Sequence, residues 1–140
     1  MGVGWKSSHS ERSTMTTAVP QTTASHAIGE TTPALLRGTI PANLDATIAR
    51  FGDREALIDR AQGIRWTYAA FGAEVDRLAR ALMAVGLAKG DRIGIWAPNS
   101  ARWIVAALGL QSAGAVLVTL NTRFKAAEAA YVLEKSEARL

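Results

Sequence analysis

The sequence predicts an α/β protein, namely the N-terminal fragment of a layered αβα domain with a mostly parallel sheet and a small hairpin. A disordered tail is predicted to precede this fragment. Residues 92–123 read as a buried strand, a polar loop, a buried helix and a second buried strand. Such a crossover requires a parallel sheet. Residues 67–86 carry the apolar periodicity of an amphipathic helix. The first 38 residues are rich in Ser and Thr and poor in large apolar side chains.

Residues 1–38 are expected to be disordered, because they cannot bury enough apolar surface to offset the entropy of ordering them. Within them Met15 is an alternative start of translation. Both histidines of the chain, His9 and His26, also lie there, so a histidine base or metal ligand is excluded from the predicted folded domain. That domain covers residues 39–140.

The first folded elements are a short helix and a hairpin. Pro41 fits the first turn of a helix, and Gly52 is a natural stop. The apolar residues of this helix recur at four- and three-residue spacing, as Leu44, Ile48 and Phe51. Residues 55–59 and 63–66 are strand-like runs on either side of a turn, which predicts an antiparallel hairpin.

Two longer helices follow. Thr67 is expected to cap the first, which ends at Gly86 and presents one apolar face, formed by Phe71, Val75, Leu78, Leu82 and Val85. After a strand at residues 92–96, Ser100 or Asn99 caps a helix that runs to about residue 112. This second helix is apolar almost all round, so we expect it to be buried.

The last elements repeat the α/β alternation. Residues 115–120 are predicted to be a strand and residues 125–136 a helix, with Tyr131, Val132 and Leu133 as its apolar contacts. Residues 138–140 begin a third parallel strand. Three tryptophans stand in apolar runs and are therefore expected in the core: Trp66, Trp96 and Trp103.

Composition excludes several classes of function. The chain has 140 residues, of which 49% are hydrophobic and 20% charged, as in soluble globular proteins. Its net charge of +4 comes from scattered basic residues, which disfavours nucleic-acid binding. The lack of cysteine excludes disulfides, thiolate metal sites and cysteine nucleophiles, and is compatible with the cytoplasmic location that we expect.

One uncharged segment has the length of a membrane span. Residues 103–122 carry no charge. However, the sequence QSAG at residues 111–114 interrupts the segment at its centre, with helix-prone residues before it and β-prone residues after it. A buried helix followed by a buried strand explains this change, and we predict no transmembrane segment.

Candidate ligand-binding residues follow the two predicted parallel strands, because ligands bind beyond the carboxyl ends of the strands in such sheets. They are Asn99 and Ser100 in one loop, and Asn121 and Arg123 in the other. Ser100 also opens a helix whose free N–H groups favour an anion or a carbonyl group. The alternative is structural: Asn99 and Ser100 cap the helix, Asn121 makes a turn, and Arg123 supports a neighbouring carboxylate.

No catalytic or metal-binding residue is predicted. The sequence GLAKG at residues 86–90 lacks the Lys-Ser/Thr of a phosphate-binding loop and leads into a strand. The folded part contains no glycine-rich dinucleotide fingerprint. The carboxylates of the last helix are typical of a solvated face: Glu128, Glu134 and Glu137.

Several motifs together resemble one enzyme family. They are PANL at residues 41–44, ALID at 56–59, WTYA at 66–69, LARALMAVGLAKGDRIGIWAPNS at 78–100 and GAVLVTLNTRF at 114–124. This set is similar to the N-terminal part of AMP-forming acyl-CoA synthetases, the adenylate-forming superfamily. The form NTRF at residues 121–124 is similar to bacterial fatty-acyl-CoA ligases or steroid-side-chain CoA ligases. The resemblance covers residues 39–140, which would be a truncated N-terminal portion of an AMP-binding domain.

The resemblance implies a ligase that uses ATP, Mg²⁺ and coenzyme A to convert a carboxylic acid, with a fatty acid as the expected substrate, to acyl-adenylate and then to acyl-CoA. The family's phosphate loop, nucleotide contacts and C-terminal lysine lie downstream of the matching segment. No catalytic residue can therefore be assigned here, and the chain alone is expected to be inactive and to bind no cofactor tightly. A missing C-terminal part would complement it. The alternative is a small non-enzymatic α/β binding module completed by a partner chain.

Overall fold

The computed structural model describes residues 29–30 and 32–139. Most of the predicted disordered tail therefore lies outside the described residues, and the described residues before Ile40 carry no helix or strand. The residues from Leu36 onward form one folded unit. None of the helices in the described part combines the length and the apolar character that crossing a membrane requires.

Helices and strands alternate along this unit much as the sequence predicts. In chain order they are α1 (Ile40–Phe51), β1 (Glu55–Asp59), β2 (Ile64–Thr67), α2 (Tyr68–Ala84), β3 (Arg92–Ile95), α3 (Ala101–Ser112), β4 (Val116–Thr119) and α4 (Ala126–Ser136).

The N-terminal elements form for local reasons. Thr39 precedes α1 in an extended conformation, and its hydroxyl oxygen accepts a hydrogen bond from the Ala42 N–H at 3.2 Å. Strands β1 and β2 pair antiparallel, with Asp59 opposite Ile64, so the predicted hairpin is confirmed. Thr67 ends β2 and caps α2, since its hydroxyl oxygen accepts from the Ala70 N–H at 3.2 Å.

Helix α2 is the centre of the packed core. Its residues Phe71, Val75 and Ala79 are buried, and Val75 is only 1% exposed. The helix stops just before Gly86, whose φ of 92° lies in the region that glycine adopts most readily. Val85 is 83% exposed, so its predicted place on the packed face is wrong. It occupies the C-cap, where the chain leaves the helix and its apolar stripe.

Two glycines set how closely the helices approach. Gly72 lies where α2 crosses α1, and a Cβ atom there would collide with Cδ1 of Ile48. Gly109 lies where α3 crosses α2, and a Cβ atom there would stand 2.9 Å from Cδ2 and 3.2 Å from Cβ of Leu78. The absence of a side chain at both positions lets the three helices pack as one layer.

Strands β3 and β4 pair in parallel, from Arg92 opposite Val116 to Ile95 opposite Thr119. Helix α3 connects them and packs on them, so the predicted βαβ crossover is confirmed. The prediction that α3 is buried is met only in part. Only Ala101, Ala107, Gly109 and Leu110 are buried, because the other described elements cover just part of its circumference.

A third parallel strand begins next to β3, as predicted. Arg139 forms a parallel bridge with Ile93, and its N–H donates to the Arg92 carbonyl oxygen at 2.9 Å. Two ion pairs support this pairing: Arg139 with Asp91 at 2.7 Å, and Arg92 with Glu137 at 2.6 Å.

Large apolar side chains in and next to β3, β4 and α4, which we call the sheet layer, are exposed to solvent. Trp96 is 40%, Val116 47% and Tyr131 63% exposed. The predicted core position of Trp96 and the predicted apolar contact of Tyr131 are therefore wrong, while Trp66 and Trp103 are half-buried. Helix α4 buries only Ala129 and packs extensively against no other element, so these side chains lack a covering layer among the described residues.

Candidate functional site

Two loops leave the parallel strands at the same edge of the sheet. Ile95 pairs with Thr119 at the carboxyl ends of β3 and β4, and the Leu120 N–H donates to the Ile95 carbonyl oxygen at 3.0 Å. The segments at residues 96–100 and 120–125 therefore begin side by side. This is the edge at which open parallel sheets bind ligands.

Asn99 and Asn121, one from each loop, line a common cavity of about 540 Å³, which we call the carboxyl-edge groove. Its volume is that of a small-molecule site. The remaining lining residues are uncharged: Ala97, Trp103, Thr119, Leu120, Thr122 and Phe124. The groove thus offers amides, hydroxyl groups and two aromatic rings, with no carboxylate or cationic side chain.

Ser100 is a helix cap and does not line this groove. Its hydroxyl oxygen accepts a hydrogen bond from the Trp103 N–H at 3.1 Å, and its carbonyl oxygen accepts from the Ile104 N–H at 3.2 Å. Of the two caps that the sequence allows, Ser100 rather than Asn99 is used. The Ser100 hydroxyl oxygen therefore already accepts one hydrogen bond within the chain.

Asn121 shapes the second loop. Its side-chain oxygen accepts from the Arg123 N–H at 2.9 Å, and its carbonyl oxygen accepts from the Trp96 indole N–H at 3.1 Å. The indole contact joins the two loops across 25 residues of sequence. The Arg123 side chain is exposed, and within residues 32–139 it forms no ion pair, so the expected support of a carboxylate is not found.

Asp59 is an important residue of this edge that the sequence did not reveal. One carboxylate oxygen accepts from the Ala101 N–H at 2.9 Å, at the first residue of α3. The other accepts from the Gln62 N–H at 3.1 Å and so holds the hairpin turn. An Asp that opens a turn is a familiar local signal. The contact with Ala101, 42 residues away, has no local signal.

These hydrogen bonds change the electrostatics at the start of α3. The Ala101 N–H, and next the Gln62 N–H, lower the pKa of Asp59 below its ordinary value of 3.8, against a smaller opposing effect of desolvation. Asp59 is therefore ionised at neutral pH. The expectation that the first N–H groups of α3 are free for an anion is wrong, because Asp59 and Ser100 accept from two of them.

A second groove, of about 610 Å³, lies between β2, α2 and α3. Apolar side chains such as Trp66, Leu78 and Val105 line most of it, and Arg77 and Arg102 stand among them. Arg77 is paired with Glu74. None of the predicted ligand-binding residues lines this groove.

The polar groups of the carboxyl-edge groove are neutral. Within residues 29–30 and 32–139, no group of three His, Asp or Glu side chains could hold a metal ion. The carboxyl-edge groove has no nucleophile next to a base. Its chemistry suits the binding of an uncharged, hydrogen-bonding part of a ligand.

Comparison with known proteins identifies the relatives of this chain. The sequence profile of a family described as "AMP-binding enzyme" matches residues 44–140. The mitochondrial medium-chain acyl-CoA ligase ACSF2 of Macaca fascicularis is 45% identical over 101 residues, which are 72% of this chain and 16% of that protein. The putative acyl-CoA synthetase YngI of Bacillus subtilis is 38% identical over 104 residues, which are 74% of this chain and 19% of that protein.

Solved structures share the fold. The N-terminal domain of FACL13 from Mycobacterium tuberculosis superposes with a TM-score of 0.69 at 33% identity, over 72% of this chain and 26% of that one. The N-terminal subdomain of NpsA from Klebsiella oxytoca, in complex with anthranilyl-AMSN, gives a TM-score of 0.68 at 31% identity, over 71% of this chain and 26% of that one. The chain thus spans less than a fifth of the two relatives compared above.

Proposed function

The chain belongs to the family of AMP-binding enzymes, and from that premise we propose that it is the N-terminal part of an ATP-dependent, AMP-forming acid–CoA ligase. The observation that carries this proposal is the 45% identity to a medium-chain acyl-CoA ligase over 101 residues, which are 72% of this chain. The substrate that we propose is a fatty acid, because relatives named as medium-chain acyl-CoA ligase and as fatty acyl-CoA synthetase match 72% and 71% of this chain.

The proposed reaction has two steps. A carboxylate oxygen of the acid attacks the α-phosphorus of ATP, which forms an acyl-adenylate and releases pyrophosphate. The sulfur of coenzyme A then attacks the acyl carbonyl carbon, and AMP leaves with the bonding electron pair. Adenylation makes the second step feasible because AMP is a far better leaving group than the oxygen of a free carboxylate.

The described residues do not fit the charged parts of these substrates. The carboxyl-edge groove has no cationic lining for phosphates, and the described residues offer no cluster of acidic ligands for Mg²⁺. We propose that Asn99 and Asn121 contact an uncharged part of a substrate, and that Ser100 and Arg123 act by fixing the two loops.

The test is acid-dependent exchange of pyrophosphate into ATP. The gene should be sequenced beyond codon 140, and both the 140-residue chain and its extended product should be assayed with acetate, octanoate, palmitate and benzoate. We expect no exchange by the 140-residue chain and exchange by the extended product, highest with a fatty acid. Exchange by the 140-residue chain alone, or none by an extended product that binds ATP, would contradict the proposal.

Two further parts of the proposal concern assembly and location. We propose that the C-terminal part of the enzyme completes the sheet layer, and the exposed Val116 and Tyr131 support this. We also propose a cytoplasmic location, with which the cysteine-free composition is compatible. Because the names of several relatives include "mitochondrial", fractionation of cells that express the native gene is the appropriate test.

A further inference from the structure

The groove between β2, α2 and α3, which we call the helix–hairpin groove, has an apolar floor. Its volume of about 610 Å³ lies in the range of small-molecule sites. Each element contributes side chains that its own periodicity brings to one face: Ile64 and Trp66 from β2, Leu78 and Ala81 from α2, and Val105 from α3. All of these except Ala81 are half-buried, so part of their apolar surface is open to a ligand.

The charged side chains that line this groove are Glu74, Arg77 and Arg102. Glu74 and Arg77 form an ion pair with each other, so their charges cancel. The Arg102 side chain is exposed, and within residues 32–139 it forms no ion pair. The lining therefore carries one uncompensated positive charge, and Arg102 is the residue that carries it.

A cation beside an open apolar surface favours a ligand that has both a negative charge and an apolar chain. A carboxylate accepts charge-assisted hydrogen bonds from a guanidinium group. An aliphatic chain gains free energy when it covers apolar side chains. Arg102 and Val105 are three residues apart on α3 and so lie on one face of the helix, which lets one molecule contact both.

We propose that the helix–hairpin groove binds an aliphatic monocarboxylate, with its carboxylate on Arg102 and its chain along Trp66 and Val105. This site goes beyond the proposed function, because the groove shares no lining residue with the carboxyl-edge groove and its ligand needs no nucleotide. Two other occupants complement the groove less well. Residues 1–28 contain one acidic residue, Glu11, which is followed by Arg12, and a second copy of the chain brings a net charge of +4.

The experiment titrates the full 140-residue chain with octanoate, in the absence of ATP and coenzyme A, and follows the Trp66 indole N–H and the Val105 amide by NMR. Arg102→Gln removes the charge at an exposed position and keeps a long polar side chain. Arg80→Gln is the matched control, since Arg80 is an exposed arginine of α2 that does not line the groove. Octan-1-ol tests the chain without the charge, and acetate tests the charge without the chain.

We expect octanoate to shift both signals saturably, with an apparent Kd about three- to fivefold higher in Arg102→Gln and unchanged in Arg80→Gln. Octan-1-ol should bind the wild type and Arg102→Gln equally, and acetate should leave the Trp66 signal unmoved.

Equal octanoate affinity of the wild type and Arg102→Gln would overturn the proposal, as would octanoate shifts that leave Trp66 and Val105 unmoved. Shifts of these two signals on dilution alone would place a second copy of the chain in the groove and would also overturn it. Each result is independent of pyrophosphate exchange, which requires ATP and tests the proposed function.

Discussion

The helical layer, formed by α1, α2 and α3, and the sheet layer, formed by β3, β4 and α4, differ in how far their apolar side chains are buried. In the helical layer, α2 packs closely on α3 and α1, and buries Phe71, Val75 and Ala79. In the sheet layer, β3, β4 and α4 leave Val116 and Tyr131 largely exposed. The helical layer therefore holds most of the buried core, whereas the layer that carries the loops at the carboxyl edge leaves large apolar side chains in solvent.

The first prediction compares the same substitution in the two layers. Val75→Ala removes two methyl groups from a site that is 1% exposed, so it should lower the free energy of unfolding by about 2 kcal/mol. Val116→Ala, at a site that is 47% exposed, should cost about 0.5 kcal/mol or less. Urea denaturation measures both. Equal losses would show that the sheet layer is packed as tightly as the helical layer.

The second prediction concerns the contact between α2 and α3. Gly109→Ala would gain about 1 kcal/mol from helix propensity in open space. Here the new methyl group would press on the Cβ, Cγ and Cδ2 atoms of Leu78, so we expect a net loss of about 1–3 kcal/mol. Gly72→Ala should cost less, because its obstacle is the flexible end of Ile48.

The matched control for this contact is Leu78→Ala in the Gly109→Ala background. It removes the obstacle, so the double variant should lose less stability than the two separate losses added together. Thermal unfolding of the four proteins measures this coupling. Strict additivity would mean that Gly109 does not set the distance between the helices.

The third prediction is a dependence of stability on pH, which arises at the contact between the hairpin and α3. The pKa of Asp59 is lower in the folded chain than in the unfolded chain, so the unfolded chain binds the proton more readily. The stability that Asp59 contributes is therefore present above about pH 4 and is lost as the pH falls through its folded pKa. Urea midpoints between pH 7 and pH 3 should fall less steeply for Asp59→Asn than for the wild type. Parallel slopes would contradict the role of the Ala101 hydrogen bond.

The fourth prediction is a small effect at the link between the two loops. Trp96→Phe keeps an aromatic ring and removes the indole N–H that donates to the Asn121 carbonyl oxygen at 3.1 Å. Because Trp96 is 40% exposed, the loss of stability should be about 0.5–1 kcal/mol. Hydrogen exchange of the Arg123 amide should accelerate, while α2 stays unchanged. No change at Arg123 would show that the indole does not hold the loop.

Local patterns predicted most of the fold, because the residues that decide it are close in sequence. Thr67 and Ser100 cap their helices three residues ahead of the N–H groups that they bind, and the turn before Ile64 fixes the hairpin. Apolar periodicity showed which face of a helix is apolar, but not whether another element covers that face. This is why the exposure of Val85 and Tyr131 differs from the prediction.

The candidate site was predictable only in part. The rule that ligands bind beyond the carboxyl ends of parallel strands predicted that Asn99 and Asn121 lie at one edge of the sheet. In the structure both residues line one groove. The rule could not reveal that Asp59, from a hairpin 42 residues earlier, occupies the start of α3. Such a contact depends on tertiary packing and leaves no periodicity or spacing in the sequence.

Native-state hydrogen exchange of the full chain tests the difference between the two layers most directly. We expect buried amides of α2 and α3 to exchange only through global unfolding, and amides of β4 and α4 to exchange at least about tenfold faster through local opening. Uniform protection across both layers would contradict this expectation, because the sheet layer would then be as self-supporting as the helices that flank it.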